Sequence, residues 1–455
     1  MSTQAGRLFP DHDPVPQTAS VPADTVEPPP STSGKPRLRY ANRNQVEMRT
    51  CALDQLLPEQ HEARTVWAYV EGLDLTPLLQ QIRAVDHGPG ASAADPRILI
   101  ALWLYATLRG VGSARELARR CDADTGEVAF QWLAGGVSLN YHTLADFRTD
   151  HLDFLDDLLT KSVASLRQEG LVELERVAQD GIKVRASAGA SSFRRQETLQ
   201  AHLQEAEQQV QALKAELDAD PAAGSRRQHK ARDRAARERQ ERVQRALEQF
   251  PQVEAQKKPK DKDKARVSTT DADARVMKMG DGGFRPAFNV QLSTDIATQV
   301  ITGVDVTNSG GDQGKLAPMV QQHEERYQHA PDEMLADGGF VKKEDIETVS
   351  PQTTVYAPVP QPKDPKRDPH TACADDSPAV AEWRVRMGTD EAKAIYRQRS
   401  QHECVNAIAR NRGLQQFRVR GLQKVKAVML WYVLAHNLMR AALLRGQREQ
   451  EAKTQ

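Results

Sequence analysis

Cysteine is scarce in this sequence: Cys51, Cys121, Cys373 and Cys404 are the only four in 455 residues, and none stands in a CxxC spacing. That excludes a disulfide-stapled secreted scaffold and suggests reduced cytosolic thiols. His370 with Cys373, and His402 with Cys404, carry zinc-type ligands, but no second pair follows at finger-like spacing, so a zinc finger is set aside. Net charge is also missing, since 62 basic residues balance 62 acidic ones. No signal-peptide pattern is expected at the start, and no membrane span: the longest apolar run, around 427–439, is short, contains His436 and Asn437, and reads as a buried core helix.

Charge is instead segregated. Residues 393–448 hold twelve lysines and arginines against one acid, Glu403, a composition suited to lying beside phosphates. Residues 1–40 are rich in Pro, Ser and Thr and nearly free of aromatics, so they read as a disordered arm.

From 41 to 170 the signals are helical. Asp95-Pro96 opens a helix that Gly110 ends, Ser113 with Glu116 and Asp124 with Glu127 suggest capping boxes, and Asn140 caps a helix through HTLADFRTDHLDFL. Short helices joined by tight turns suit either a helix-turn-helix DNA reader or a bundle docked on the next domain. In the first case Arg115, Arg119, Arg120 and Arg148 are the phosphate contacts. Lys183 and, in the basic C-terminal block, Arg418 and Arg420 are counted with them.

Leu199, Leu203, Ala206, Val210, Leu213 and Leu217 step by four and three, an a/d seam. DADPAAGS then breaks it and a basic helical pattern follows, which predicts a coiled-coil helical hairpin inserted over 191–269. Around this insertion, 171–190 and 270–440 read as one mixed α/β domain. Its strands are ERVAQDGIKVRA, AFNVQLST, QVITGVDVT, EMLA and TTVYAP, with helices near 313–326, 341–348, 396–410 and 424–440. Residues 441–455 read as a polar tail.

Three acids in this domain could carry chemistry. Asp180 alternates with Ala178, Ile182 and Val184 and so faces inward or into a cleft; a hairpin turn at Asp180-Gly181 is the alternative. Asp337 follows the strand Met334–Ala336, at the carboxyl end where open α/β sheets bind ligands. Asp281, in the near-identical DGGF, reads as loop because KMG before it makes no strand. Asp305 and Asp312 stay as candidates, Asp312 more readily as a helix cap. Tyr396, Arg399, Glu403 and Arg410 fall on one helical stripe, either a solvated face with an Arg399–Glu403 pair or a carboxylate aimed at a metal. Three carboxylates without zinc ligands favour Mg²⁺ or Mn²⁺, and two such ions can drive an in-line phosphoryl displacement.

The run Tyr396-x2-Arg399-x3-Glu403-x6-Arg410 resembles the Y-x2-R-x3-E-x6-K signature of DDE transposases of bacterial insertion sequences, with arginine for the last lysine. VAQDGIKVRA, STTDADAR, AFNVQ, LADGGF, FRVRGLQKV and HNL are similar to that group in the same order. DQLLPEQH, SARELARRC and FQWLAGG resemble its helical domain.

The resemblance implies a ribonuclease-H-like α/β core, preceded by a helical DNA-binding domain and interrupted by the hairpin. Asp180, Asp337 and Glu403 would be both the catalytic residues and the ligands of two Mg²⁺ or Mn²⁺ ions, supported by Tyr396, Arg399 and Arg410. It implies double-stranded DNA partners (terminal inverted repeats and target), a homo-oligomer, no membrane, and a cytoplasmic, nucleoid-associated setting in a bacterium. A nuclease that cuts without joining, and a catalytically inactive DNA-binding protein of transposon origin, are the alternatives.

Overall fold

A computed structural model describes residues 51–84, 92–219, 226–362, 364 and 366–454. The arm expected over 1–40 and the start of the helical region at 41–50 lie outside the described residues, as does most of the DADPAAGS break.

After a short 3-10 helix at Leu53–Leu56, seven α-helices open the described chain: α1 (Glu62–Glu71), α2 (Thr76–Leu79), α3 (Pro96–Leu108), α4 (Ala114–Arg120), α5 (Val128–Ala134), α6 (Tyr141–Asp150) and α7 (Leu152–Gln168). Helix α3 begins where the Asp95 carboxylate accepts from Arg97 N at 2.8 Å, with Pro96 in the first turn. Residues Ile98 to Ala106 are all buried, which makes α3 the central rod of this layer. Ser113 caps α4 as expected, accepting from Glu116 N, but Glu116 turns to Arg119 and Arg120 instead of closing the box.

The second box does not form. The loop turns around Asp122, whose Oδ1 accepts from Asp124 N and from both Thr125 N and Oγ1, while Glu127 heads α5 without a side-chain cap. Asn140 caps α6 through His142 N at 2.9 Å. The long helix expected after it is broken at His151 (φ −117°, ψ 43°), which separates α6 from α7.

The remaining elements are β1 (Arg176–Arg185), β2 (Phe193–Arg194), α8 (Gln196–Ala219), α9 (Arg226–Ala255), β3 (Val267–Ser268), β4 (Arg275–Lys278), β5 (Phe284–Asp295) and β6 (Ile301–Thr307). They continue with α10 (Leu316–Tyr327), β7 (Glu333–Ala336), α11 (Lys343–Val349), β8 (Thr354–Tyr356), α12 (Pro378–Gly388), α13 (Asp390–Arg397), α14 (Ser400–Asn411) and α15 (Leu422–Thr454).

The result is a mixed sheet with flanking helices. β1 lies at its centre, antiparallel to β5 on one side and parallel to β7 on the other, with β8 parallel beyond. The long β5 carries β4 along its first residues and β6 along the rest, both antiparallel. β1 is unbroken through Asp180 and Gly181, which pair with Leu292 and Gln291, so the hairpin-turn alternative is excluded. The two faces differ: Ala178, Ile182, Val184, Phe288, Val290 and Leu292 make one apolar, while Gln179, Asn289, Gln291 and Ser293 make the other a buried polar layer. Under that layer His323 of α10 bonds Ser293 and Thr302 at 3.0 and 2.9 Å, and burial holds its imidazole down to about 4.

Helix α15 joins the helical layer to the sheet. It packs on α3, α6, α7 and β6, and Asn437 uses both ends of its amide on the edge strand, accepting from Ile301 N at 2.8 Å and donating to Ile301 O at 2.7 Å. That contact satisfies backbone groups an edge strand would otherwise leave open. The helix was expected to end near 440 with a polar tail beyond, but it continues to Thr454. Arg445 forms a bidentate pair with Glu169 of the α7 cap and Arg448 donates to the Glu169 carbonyl, which anchors part of this stretch. One stretch of α15 is long and apolar enough to cross a membrane, but most of it is buried inside the protein.

Helices α8 and α9 form the expected antiparallel hairpin. Leu199, Ala206 and Val210 are buried along the seam, facing Ala236, Val243, Ala246 and Phe250. The basic face of α9 is answered by acids on α8, as in Arg232–Glu216 at 3.0 Å and Arg239–Glu205 at 3.1 Å. At the root, β2 pairs with β3, and Val253, Ala265 and Val267 close a small separate core.

Candidate active site

On neighbouring parallel strands, residues in register project to the same face. Gln179 of β1 is in register with Ala336 of β7, so one step further Asp180 stands beside Asp337, about 5 Å away backbone to backbone. Asp180 Oδ1 accepts from Gly181 N at 2.9 Å and Oδ2 from Asn406 Nδ2 of α14 at 2.8 Å. Asp337 Oδ1 accepts from Gly339 N at 2.7 Å. Burial pushes the Asp180 carboxyl above its ordinary value, and the negative charges of Asp337 and Asp312 add to this, while the Gly181 N–H and Arg399 oppose it. Crowded acids of this kind favour either a proton or a cation.

Gly181 explains part of the surrounding motif. Asp312 lies across it on the polar face of the sheet, accepting from Asn289 Nδ2 at 2.7 Å and Gln291 Nε2 at 2.8 Å. A Cβ at Gly181 would sit 2.5 Å from Asp312 Oδ1 and 2.8 Å from Gln291 Nε2. Asp312 is therefore not the expected helix cap: Lys315 precedes α10, without a side-chain cap bond. Replacing Gly181 with Ala should displace this doubly held carboxylate and lower stability by about 1–3 kcal/mol, although alanine is otherwise the better strand residue. Urea denaturation would check it, and an unchanged midpoint would show that Asp312 moves freely.

Asp305 lies on β6 opposite Gln291, two strands from Asp180. Asp281 is exposed at the tip of the β4–β5 turn, bonded to Arg285 and Gly283 N, so the loop reading holds. Of the KMG before it only Lys278 belongs to a strand, as the last residue of β4 (Arg275–Lys278), while Met279 and Gly280 lead into the turn.

The stripe of Tyr396, Arg399, Glu403 and Arg410 is not on one helix. α13 ends at Arg397 and α14 starts at Ser400, joined by tightened three-residue bonds from Gln398 N to Ile395 O and from Arg399 N to Tyr396 O. Arg399 still links the set, with its guanidinium 5.9 Å over the Tyr396 ring and 3.6 Å from Glu403 Oε1. Glu403 is one turn before Asn406, but its side chain is 66% exposed and turned to Arg399. Arg410 is exposed in the last turn of α14. Asp180 and Asp337 are thus brought together and Glu403 is on the helix bonded to Asp180, but the three do not close into one ligand set.

Among the described residues, the only His, Cys, Asp or Glu group with ligand atoms within 4.8 Å of one another is Cys373, Asp375 and Asp376. Asp376 there is already neutralised by Lys343 at 2.8 Å and Arg384 at 2.6 Å. Burial alone would raise its carboxyl, but bonds from Lys343, Cys373 N and Arg384 outweigh burial and hold it far below the usual range. Its folded pKa is depressed, so its stabilisation is present at neutral pH and lost as pH falls below about 4. Changing Arg384 to Met should cost about 3 kcal/mol at neutral pH and less near pH 3, as read by melting temperature against pH.

Asn406 was not singled out beforehand, and His402 only as a zinc-type ligand. Asn406 carried no signal beyond being three residues after Glu403. His402, fully buried beside it with neither ring nitrogen bonded, is held by burial down to about 3 and is neutral.

The proposed phosphate contacts divide. Arg148 is packed into the protein: Nη1 donates to Gly112 O at 2.7 Å and the guanidinium stacks 4.5 Å over Trp103, so it is not a free surface cation. Arg119 and Arg120 are paired with Glu116, and Arg120 also with Glu127 at 2.7 Å. Arg115 is exposed over Tyr141. Lys183 lies on the polar face of β1 opposite Asn289, while Arg418 and Arg420 are exposed after α14.

No curated protein and no solved structure matches the chain. Two family models do. A transposase domain described as DUF772 matches residues 51–150, and a transposase DDE domain matches residues 363–442. The first covers most of the helical layer, and the second includes α14 with Glu403 and stops short of Asp180 and Asp337. Lying in this order on a chain with a mixed sheet and adjoining acids, the two matches support a DDE-type transposase of the insertion-sequence kind.

Proposed function

We propose that this transposase cuts DNA at the ends of its element and joins the freed 3′-hydroxyls to target DNA, in a core of ribonuclease-H-like type. The observation that carries this reading is Asp180 beside Asp337 on adjacent parallel strands, with α14 bonded to Asp180 through Asn406. A central first strand, antiparallel to the next and parallel to the later ones, supports the fold assignment.

The residues fit a hard divalent cation. Every candidate donor is a carboxylate oxygen, and Asp180 is raised by burial, to which the charges of Asp337 and Asp312 add a part that a cation would relieve. Asp180, Asp337 and Glu403 would hold Mg²⁺ or Mn²⁺, which when bound supplies Lewis-acid stabilisation of the attacking and leaving oxygens. Asn406 orients Asp180, and Arg399 tempers the negative charge while keeping Glu403 at the edge of the site. Glu403 completes the set by giving up its contact with Arg399. Double-stranded DNA is the substrate, two element ends require a homo-oligomer, and the setting is the bacterial nucleoid.

Incubating the protein with labelled element ends, plasmid and Mg²⁺ or Mn²⁺ should give cut and joined products that chelation abolishes. Cut ends with no joined product would instead indicate a nuclease. Normal end binding without nicking under any divalent ion would indicate an inactive DNA-binding protein.

A further inference from the structure

At the far end of β1 from Gln179 lies an open cavity of about 610 Å³. Its walls come from the α3–α4 turn, the end of β1, the 412–418 loop and α15, so both family-matched segments contribute. The loop is fixed to β1 by backbone bonds, Phe417 N to Arg185 O at 2.8 Å and Arg185 N to Gln415 O at 3.2 Å. Gly110 and Gly413 let the two backbones meet: a Cβ on Gly110 would lie 3.3 Å from Arg412 O.

Arg148, Arg185, Arg412 and Arg418 line this cavity, and no acid does. None of the four has an ion-pair partner among the described residues. Arg412 Nη1 and Arg148 Nε are shut off from solvent and unbonded, as is the hydroxyl of Tyr432, a residue that is almost fully buried and also lines the cavity. Burial, with the charge of Arg418 adding to it, lowers Arg148 to about 10. Converging cations around orphaned donors, with no acid among them, suit an anion.

We propose that this cavity seats a phosphate group, a backbone phosphodiester of the DNA on which the carboxylates act. It rests on the DNA reading above, although its test does not depend on catalysis. Arg185 is five positions along β1 from Asp180, about 16 Å, so the phosphate seated here is distinct from the one on which the carboxylates would act.

The test measures binding of a fluorescein-labelled duplex of the element end by anisotropy over a salt series, without divalent ions. Wild type is compared with Arg412→Gln, Arg185→Gln and, as a rim variant, Arg418→Gln, with melting temperature confirming folding. Losing one phosphate contact should make the slope of log K against log salt shallower by about 0.9 and weaken binding about tenfold near 0.1 M salt. Asp180→Asn, which leaves the cavity intact, should keep the wild-type slope even if all cleavage is lost. An unchanged slope in all three arginine variants overturns the proposal. If inorganic phosphate raises the melting temperature of wild type but not of Arg412→Gln while the slopes stay equal, the DNA assignment is also overturned, in favour of free phosphate.

Discussion

Asp180→Asn should abolish DNA cutting, with a loss of at least about a thousandfold, while DNA affinity measured without divalent ion stays within about twofold of wild type. The size follows from the proposed role: removing one ligand of a catalytic metal would remove stabilisation of charge developing in the transition state, which costs about 3–4 kcal/mol or more. The fold should tolerate the change. Asn406 donates to Asp180 through Nδ2 and its own Oδ1 is unbonded, so a flip of that amide lets it accept from the new side chain. Stability should even rise at neutral pH. Because the folded-state pKa of Asp180 is raised, its stabilising contribution is complete below the unfolded value of about 4 and is lost as pH climbs through the folded value. The ionised group is a burden at pH 7, and asparagine removes it. A melting temperature above wild type in chelator, together with lost cleavage, separates a missing ligand from a damaged fold. A lowered melting temperature would mean that Asp180 serves the structure.

Trp431→Ala should produce the largest loss of stability, about 3–5 kcal/mol. Trp431 is 1% exposed on α15, its indole donates to Arg148 O at 3.0 Å, and its ring lies 6.2 Å from that of Phe147. Truncation leaves a cavity where α15 meets α6 and frees a buried carbonyl. A large fall in urea midpoint with early protease cleavage in the helical layer is expected. A shift below about 1 kcal/mol would show that the two layers do not depend on this contact.

Period and turn chemistry made much of the fold legible in the sequence. The strand around Asp180, the strand before Asp337, the inserted hairpin and the caps at Asp95, Ser113 and Asn140 all lie where local patterns place them. Misreadings arose where tertiary contacts decide. Asp312 has the sequence look of a helix cap, yet two amides on β5 draw it across Gly181. The stripe through Tyr396 and Arg410 obeys helical spacing, but the backbone tightens at Gln398–Arg399 and divides it. Arg148 looks like a surface cation until Trp103 and Gly112 enclose it. Asn406 and Asn437 matter only through residues more than a hundred positions away, which no local pattern encodes.

The pairing of Asp180 with Asp337 was legible because each carried its own signal, one in a strand alternation and the other at a strand end. Glu403 was singled out by its motif alone, and the geometry leaves it on Arg399; under the proposed function it would change partners when a cation binds.

Titration of Mn²⁺ followed by electron paramagnetic resonance, on wild type and on Asp180→Asn, Asp337→Asn and Glu403→Gln, addresses that shared-ion role most directly. Bound Mn²⁺ in wild type that is lost or sharply weakened in each variant is the expected result. Equal Mn²⁺ binding by wild type and all three variants would contradict it.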